Sequence, residues 1–450
     1  MKTQTENNSL NENVEMAVVE EIILPEEDYQ SAHDKRKKVR RTITVGLLIS
    51  ELIIAGAFSQ VLHKNDIKTR IAREHEIRKT GCIELASGIY KGATDFGYFS
   101  GDGNFIFNSG SEYAGNWEEN GLKGHGVLQI PTEGKYDGAF RNSQKSGVGT
   151  FTWNDGSVYE GEWLSDQMCG SGKYVTTDGV TYSGSFEKNA FISGKCSFNN
   201  DTGSYIFTYK DGRIDNAEIE YTDGTSYTGT ATENGLTGDG EMTFPNGDKY
   251  TGSFNNGKRS GSGVYEWTSG DKYDGSWNSD QLDGSGTYTY FDGSYVNGQF
   301  EKNVFMEGEY HIENAFGTYS FTIADGKATK VKMTLTDGTT YDGSMSDGEL
   351  FGQAQIKYSN GDKYYGNISG GQKNGQGKYT WNSGATYEGN WENDQMSGEG
   401  TYIYPSGKNG YKLVGTFANG KPNGSCQYYV DSTAYYQTDW SNGKCEKIYE

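Results

Sequence analysis

The chain has 450 residues, of which 65 are glycine, 34 tyrosine and only 5 proline; this composition excludes a collagen-like chain and one disordered through most of its length. Its net charge of −21 is unevenly placed: residues 1–80 hold 13 basic and 13 acidic side chains, which leaves 27 basic against 48 acidic on residues 81–450. That body is an anion, which argues against nucleic acid and anionic lipid head groups as ligands, because both are bound through clustered Lys and Arg.

In chain order, residues 1–41 read as a disordered acidic tail ending in a basic cluster. Residues 1–34 set nine carboxylates against Lys2, too polar to bury a core, and Lys35 to Arg41 then place six positive charges within seven positions. Thr42 to Leu62 follows, a stretch whose only charge is Glu51. As a helix it would be about 31 Å long, enough for the hydrocarbon core of a bilayer, and the pattern predicts a transmembrane helix over 42–62. Glu51 would then be an intramembrane carboxylate costing about 2.5–3.5 kcal/mol unless protonated or paired, and self-association through this helix would offer it a partner. The basic cluster favours a cytoplasmic N-terminus with the rest of the chain outside. Ala55-Gly56-Ala57 also fits a small-x-small processing site, so a leader cleaved after Ala57 stays open as an alternative. Residues 63–84 predict a charged helical stalk.

From residue 85 to 450 the chain repeats itself. Tyr113-Ala-Gly115-Asn-Trp117 returns as Tyr136-Asp-Gly138-Ala-Phe140, as Tyr159-Glu-Gly161-Glu-Trp163 and as Tyr182-Ser-Gly184-Ser-Phe186, at a period of 23. Glycine pairs follow at eleven and thirteen residues from the tyrosine: Gly124/Gly126, Gly147/Gly149, Gly170/Gly172. Above this lies a period of 114, seen in Tyr113/Tyr227/Tyr341 and Tyr136/Tyr250/Tyr364, which defines three super-repeats starting near 113, 227 and 341. Each has four good units and a degenerate fifth, in which the glycine pair is lost around Ile214–Tyr221 and Ala328–Leu335; bends or covering flaps are expected there. A self-similar period of this length predicts stacked units that complete one another's apolar faces.

Within one unit, Tyr379, Trp381, Tyr387, Gly389 and Trp391 alternate with Lys378, Thr380, Glu388 and Asn390. This is the period-2 pattern of strands with one aromatic and one polar face. Asn382-Ser-Gly384 and its counterparts Asn154-Asp-Gly156 and Asn360-Gly361 supply the positive φ of tight turns, so each unit predicts a β-hairpin. The glycine between Tyr387 and Trp391 leaves a slot into which a ring from a neighbouring strand could lie.

The pattern Tyr-x-Gly-x-Trp/Phe, six residues, Gly-x-Gly and a later Asn/Asp-Gly resembles the MORN (membrane occupation and recognition nexus) repeat over about residues 85–450. The resemblance implies hairpins stacked side by side into a long, twisted antiparallel sheet. About fifteen units would extend on the order of 140 Å if straight. The fold class expected is therefore all-β repeat: an elongated sheet of stacked hairpins, preceded by one transmembrane helix and a disordered N-terminal tail.

No catalytic constellation emerges. The histidines are His33, His63, His75, His125 and His311, and none recurs in matching units; no metal-ligand or nucleophile motif is present. No enzymatic activity, cofactor or metal is expected. Of the five cysteines, Cys426 and Cys445 are the candidate bridge if the domain is exported. Trp163, Trp277 and Trp391 stand at the 114-residue period and read either as a stacking ladder on a ligand face or as the core of the sheet. Two functions follow. One is a membrane-anchored scaffold whose ribbon binds proteins or glycans; the other is a membrane-apposition tether with cytosolic, lipid-binding repeats, as the resemblance implies.

Overall fold

The computed structural model describes residues 67–405 and 411–449. The chain divides after Arg259 into two compact units. In the first, the helix α1 (Ile67–Thr80) is followed by short strands from Ile83–Leu85 to Lys249–Asn255, each paired antiparallel with its neighbours in sequence. The second runs from Ser260, inside strand Lys258–Glu266, to strand Lys444–Tyr449, with the same neighbour-to-neighbour pairing. The all-β sheet of stacked hairpins agrees with the expectation from sequence.

Its helical part is corrected. Among the described residues no helix is long and apolar enough to cross a membrane, and α1, with 14 residues, is polar. The predicted span 42–62, with Glu51 and the Ala57 site, lies outside the described residues, as does the acidic tail. The helix α1 packs on the first strands. Arg70 Nε donates to the Phe96 carbonyl at 2.7 Å, its guanidinium lies 4.2 Å from the Tyr98 ring centroid, and Arg73 is buried over Phe99. Two cations on one helix face thus hold α1 against the first strands through their planar heads.

Two turn types alternate along the chain. In most units the first strand is joined to the second by two residues of positive φ, such as Glu119-Asn120 (49° and 67°) and Ser165-Asp166 (50° and 68°), the signature of the two-residue hairpin whose twist matches its strands. The Asn/Asp-Gly turn predicted from sequence lies between units: Gly156 has φ 93°, and Asp155 Oδ1 accepts from both the amide and the hydroxyl of Ser157. The degenerate fifth units do not break the sheet. Tyr205 faces Ile219 across one strand pair and Phe198 across the other, and the corresponding Tyr319 faces Met333 and Ile312, so apolar side chains continue the pairing where the Gly-x-Gly pair is missing.

The glycines serve the unit's own tyrosine rather than a ring from a neighbouring strand. Gly115 and Gly126 are cross-strand partners, and the Tyr113 ring folds back along its own strand to lie over both. A Cβ on Gly126 would sit 2.3 Å from the Tyr113 hydroxyl, and one on Gly115 2.4 Å from the Gly126 Cα. The hydroxyl reaches past the glycines and donates to the carbonyl three residues on: Tyr113 to Asn116 at 3.0 Å, Tyr250 to Ser253 at 3.0 Å, Tyr364 to Asn367 at 2.8 Å. The same clasp forms at Tyr90 and Tyr227. These rings are among the most buried in the protein, and a buried phenol must have its O–H satisfied.

The clasp makes two expectations. Replacing Gly161 by Ala drives a methyl to 2.5 Å from the Tyr159 hydroxyl and should cost about 1–3 kcal/mol of unfolding free energy by denaturant titration, whereas Tyr159→Phe, which removes the hydroxyl's bonds to the carbonyls of Glu162 and Cys169 and leaves the ring, should cost about 1 kcal/mol. The second concerns pH. Burial raises the clasp phenols, Tyr387 to about 12 from an ordinary value of 10.0, so the unfolded chain ionises first. This stabilisation is complete below pH 10 and is lost as pH rises through the folded value. The thermal midpoint should stay level from neutral pH to about 9 and fall between 10 and 12, in step with tyrosinate absorbance.

Candidate functional site

The aromatic face is closed by its own packing. Trp163, Trp277 and Trp391 are 4%, 4% and 5% exposed. Trp163 stands edge-on between its own Tyr159 and Tyr136 of the preceding unit, at 5.2 and 5.4 Å, and Trp391 does the same between Tyr387 and Tyr364. Each indole N–H donates to a glycine carbonyl in the Gly-x-Gly of the strand before it, Gly149, Gly263 and Gly377 respectively. With faces, edges and donors all engaged, the three tryptophans belong to the core and leave no surface for a stacked ligand.

Charge also enters this core, a feature that reading the sequence missed. Lys145, Arg259 and Lys373 are 3–4% exposed, and they stand at the 114-residue period in the second unit of each super-repeat, where other units have Leu122, Met168 or Leu282. The Lys145 ammonium lies 5.0 Å from the Phe151 centroid and 4.9 Å from that of Trp163. Burial pulls its pKa down, against the opposite pull of Asp166 and Glu133. Lys373 is ringed by Tyr364, Tyr379 and Trp391 at 5.5–5.8 Å and meets Asp394 Oδ1 at 3.0 Å.

The carboxylates come from the two-residue turns. In one unit after another the second turn residue accepts from the backbone N–H found 21 positions earlier: Asn120 from Phe99, Asn189 from Met168, Asn303 from Leu282. Where the earlier residue is Lys145 or Lys373, the acceptor is Asp166 or Asp394. An amide suffices beside an apolar side chain, and a carboxylate stands beside a cation. A clue was present in the sequence as this pairing at a separation of 21, which only a stacked register makes meaningful.

The opposite face of the sheet is polar and open. Over the third super-repeat, cross-strand pairing sets Lys332, Asp342, Gln355, Tyr365 and Lys378 in one continuous row. A second row contains Thr340, Lys357, Lys363 and Thr380. Together they line a groove of about 570 Å³. At the equivalent positions the second super-repeat has Glu218, Thr228, Glu241 and Thr251, and the first has Asn104, Ala114, Val127, Asp137 and Thr150. The register is the same in each block, and the chemistry is not.

The remaining sequence candidates are dispersed. Cys426 and Cys445 are both free thiols, the first buried and the second exposed. They lie on strands separated by Tyr435–Ser441, a lateral distance of about 10 Å that exceeds the Cα separation a disulfide tolerates; the expected bridge is therefore corrected. His125 faces Asp137 at 3.0 Å on the surface and His311 stacks on Tyr295. Among the described residues no cluster of His, Cys, Asp and Glu is arranged to hold a metal.

Comparison with known proteins agrees with this geometry. Residues 113–135, 136–158, 159–181, 250–272, 273–295, 341–363, 364–386, 387–408 and 414–433 match the MORN repeat, which supports a MORN repeat protein with a scaffold or binding role. The unit at Tyr227 is not among these segments, although the clasp forms there. No curated relative matches the chain. Two solved structures show low similarity: the SAS-4 (dCPAP) TCP domain in complex with a proline-rich motif of Ana2 (dSTIL) of Drosophila melanogaster, at 12% identity over 45% of this chain and 90% of that one with a TM-score of 0.18, and streptogramin B lyase, at 10% identity over 64% and 80% with a TM-score of 0.11.

The buried pair can be tested by exchange. Lys373→Met leaves Asp394 without its cation and should cost about 3–5 kcal/mol. Adding Asp394→Asn, which keeps the acceptor for the Lys373 amide as Asn189 does for Met168, should restore most of the loss in the denaturant midpoint.

Proposed function

We propose that the chain is a non-enzymatic binding scaffold whose polar sheet face presents side chains to a protein or glycan ligand. One observation carries this reading: equivalent rows on the polar face change from neutral and acidic to basic between super-repeats, while the tyrosine clasp beneath them repeats. Folding accounts for the constant face, and ligand recognition accounts for the variable one. Side chains on alternate residues of adjacent strands stand about 4.8 Å apart across the sheet, a spacing suited to many weak contacts acting together. The nine MORN repeats support the same role.

The full chain would be titrated against arrays of neutral and acidic glycans and of folded proteins, alongside variants of the polar face such as Glu218→Lys with Glu241→Lys. The expected result is a saturable ligand whose affinity changes in a face variant while the thermal midpoint holds. If binding is absent across the arrays, or responds only to variants that lower the midpoint, the scaffold reading fails.

A further inference from the structure

Lys357 and Lys363 face each other directly across two strands. Both are exposed, and neither forms an ion pair among the described residues. Like charges placed directly opposite destabilise a sheet, so folding does not explain the pair. Nor does the repeat: the equivalent positions hold Thr243 with Lys249 and Gln129 with Lys135, one lysine each. The flanking lysines are already engaged, Lys332 with Asp342 at 3.7 Å and Lys378 with Glu388 at 3.0 Å. The groove therefore holds one focused, uncompensated double positive charge in a repeat body that is otherwise acidic. At physiological ionic strength charges beyond about 8 Å are largely screened, so the local pair governs what binds there.

Beside the pair stands an aromatic ring. Tyr365 is two residues from Lys363 on the same strand and face, and is 57% exposed, whereas the clasp tyrosines are buried. It lies between Gln355 and Lys378 in its row, with the hydroxyls of Thr340 and Thr380 along the lysine row. Backbone N–H and C=O groups of these interior strands are spent in the ladder, so a peptide could find no main-chain partners here, as it would at a sheet edge. What the groove offers is cations, amide and hydroxyl groups, and one flat ring about 7 Å along the strand from the lysine pair.

We infer that this groove binds a carboxylated oligosaccharide, one carboxylate between Lys357 and Lys363 and an adjoining sugar ring on Tyr365. The inference rests on the binding-scaffold reading and names its ligand class at one place. Isothermal titration of the full chain with an oligogalacturonate, its neutral methyl ester and a polyglutamate of equal charge tests it. The acidic sugar should bind and the ester should bind more weakly. Lys357→Gln with Lys363→Gln should weaken the acidic sugar about tenfold, the sum of two exposed charge contacts, and Tyr365→Ala should weaken it about fivefold; neither should lower the thermal midpoint, and the lysine variant should raise it slightly as the like-charge repulsion is relieved. Tighter binding of polyglutamate, unaffected by Tyr365→Ala, would make the ligand an acidic protein and overturn the proposal. Absence of acidic-sugar binding, or binding indifferent to the lysine variants, would overturn it as well. In both cases a ligand found on another block of the polar face would leave the scaffold reading standing.

Discussion

Most units of this fold depend on a phenol ring lying flat over a glycine and its small partner across a strand pair. The ring fills the space of two absent side chains, or of one beside a methyl where Tyr341 lies over Gly343 and Ala354, and its hydroxyl needs the carbonyl three residues further on. Together these demands set the spacing from tyrosine to first glycine, from that glycine to its partner and from both to the next aromatic. The period of 23 is the length of chain needed to make this clasp once and return to the start of the next. Because each tryptophan or phenylalanine also stands edge-on against the preceding tyrosine, as Phe140 does against Tyr113 at 5.3 Å, no unit completes its core alone. This is the physical content of a stacked repeat.

A core made of repeated rings invites slippage, since one unit looks much like the next. The buried cations and their turn carboxylates oppose this. Lys145 with Asp166 and Lys373 with Asp394, each 21 residues apart, fit only when successive units are stacked in one register; a shift of one unit would set the ammonium beside Asn189 or the carboxylate beside Met168. Such pairs contribute little net stability after desolvation, but their mismatch is expensive. One charged unit per super-repeat marks the 114-residue cassette without disturbing the units between.

Confining the constant requirements to one face leaves the other free to vary. Thr150 and Val264 can stand where the third super-repeat has Lys378, because these positions lie on the open face rather than in the clasp. Composition and net charge average over all three blocks, so the paired lysines at 357 and 363 vanish in a total of 27 basic residues against 48 acidic.

The sequence by itself determined the strand periodicity, the turns at Asn154-Asp-Gly156 and its counterparts, the 23- and 114-residue periods and the all-β class, because each is a local pattern of one chain segment. It left Trp163, Trp277 and Trp391 between ligand face and core, placed a ring from a neighbouring strand where the unit's own tyrosine lies, and joined Cys426 to Cys445 across an intervening strand. The two-residue turns at Glu119-Asn120 and Asn393-Asp394 were also hidden, since no glycine marks them and their positive φ is supported by hydrogen bonds to the unit before. Tertiary structure alone decided these points. Which side chains become neighbours depends on register between strands distant in sequence, and that register is set by the clasp and the turn ladder rather than by any single segment.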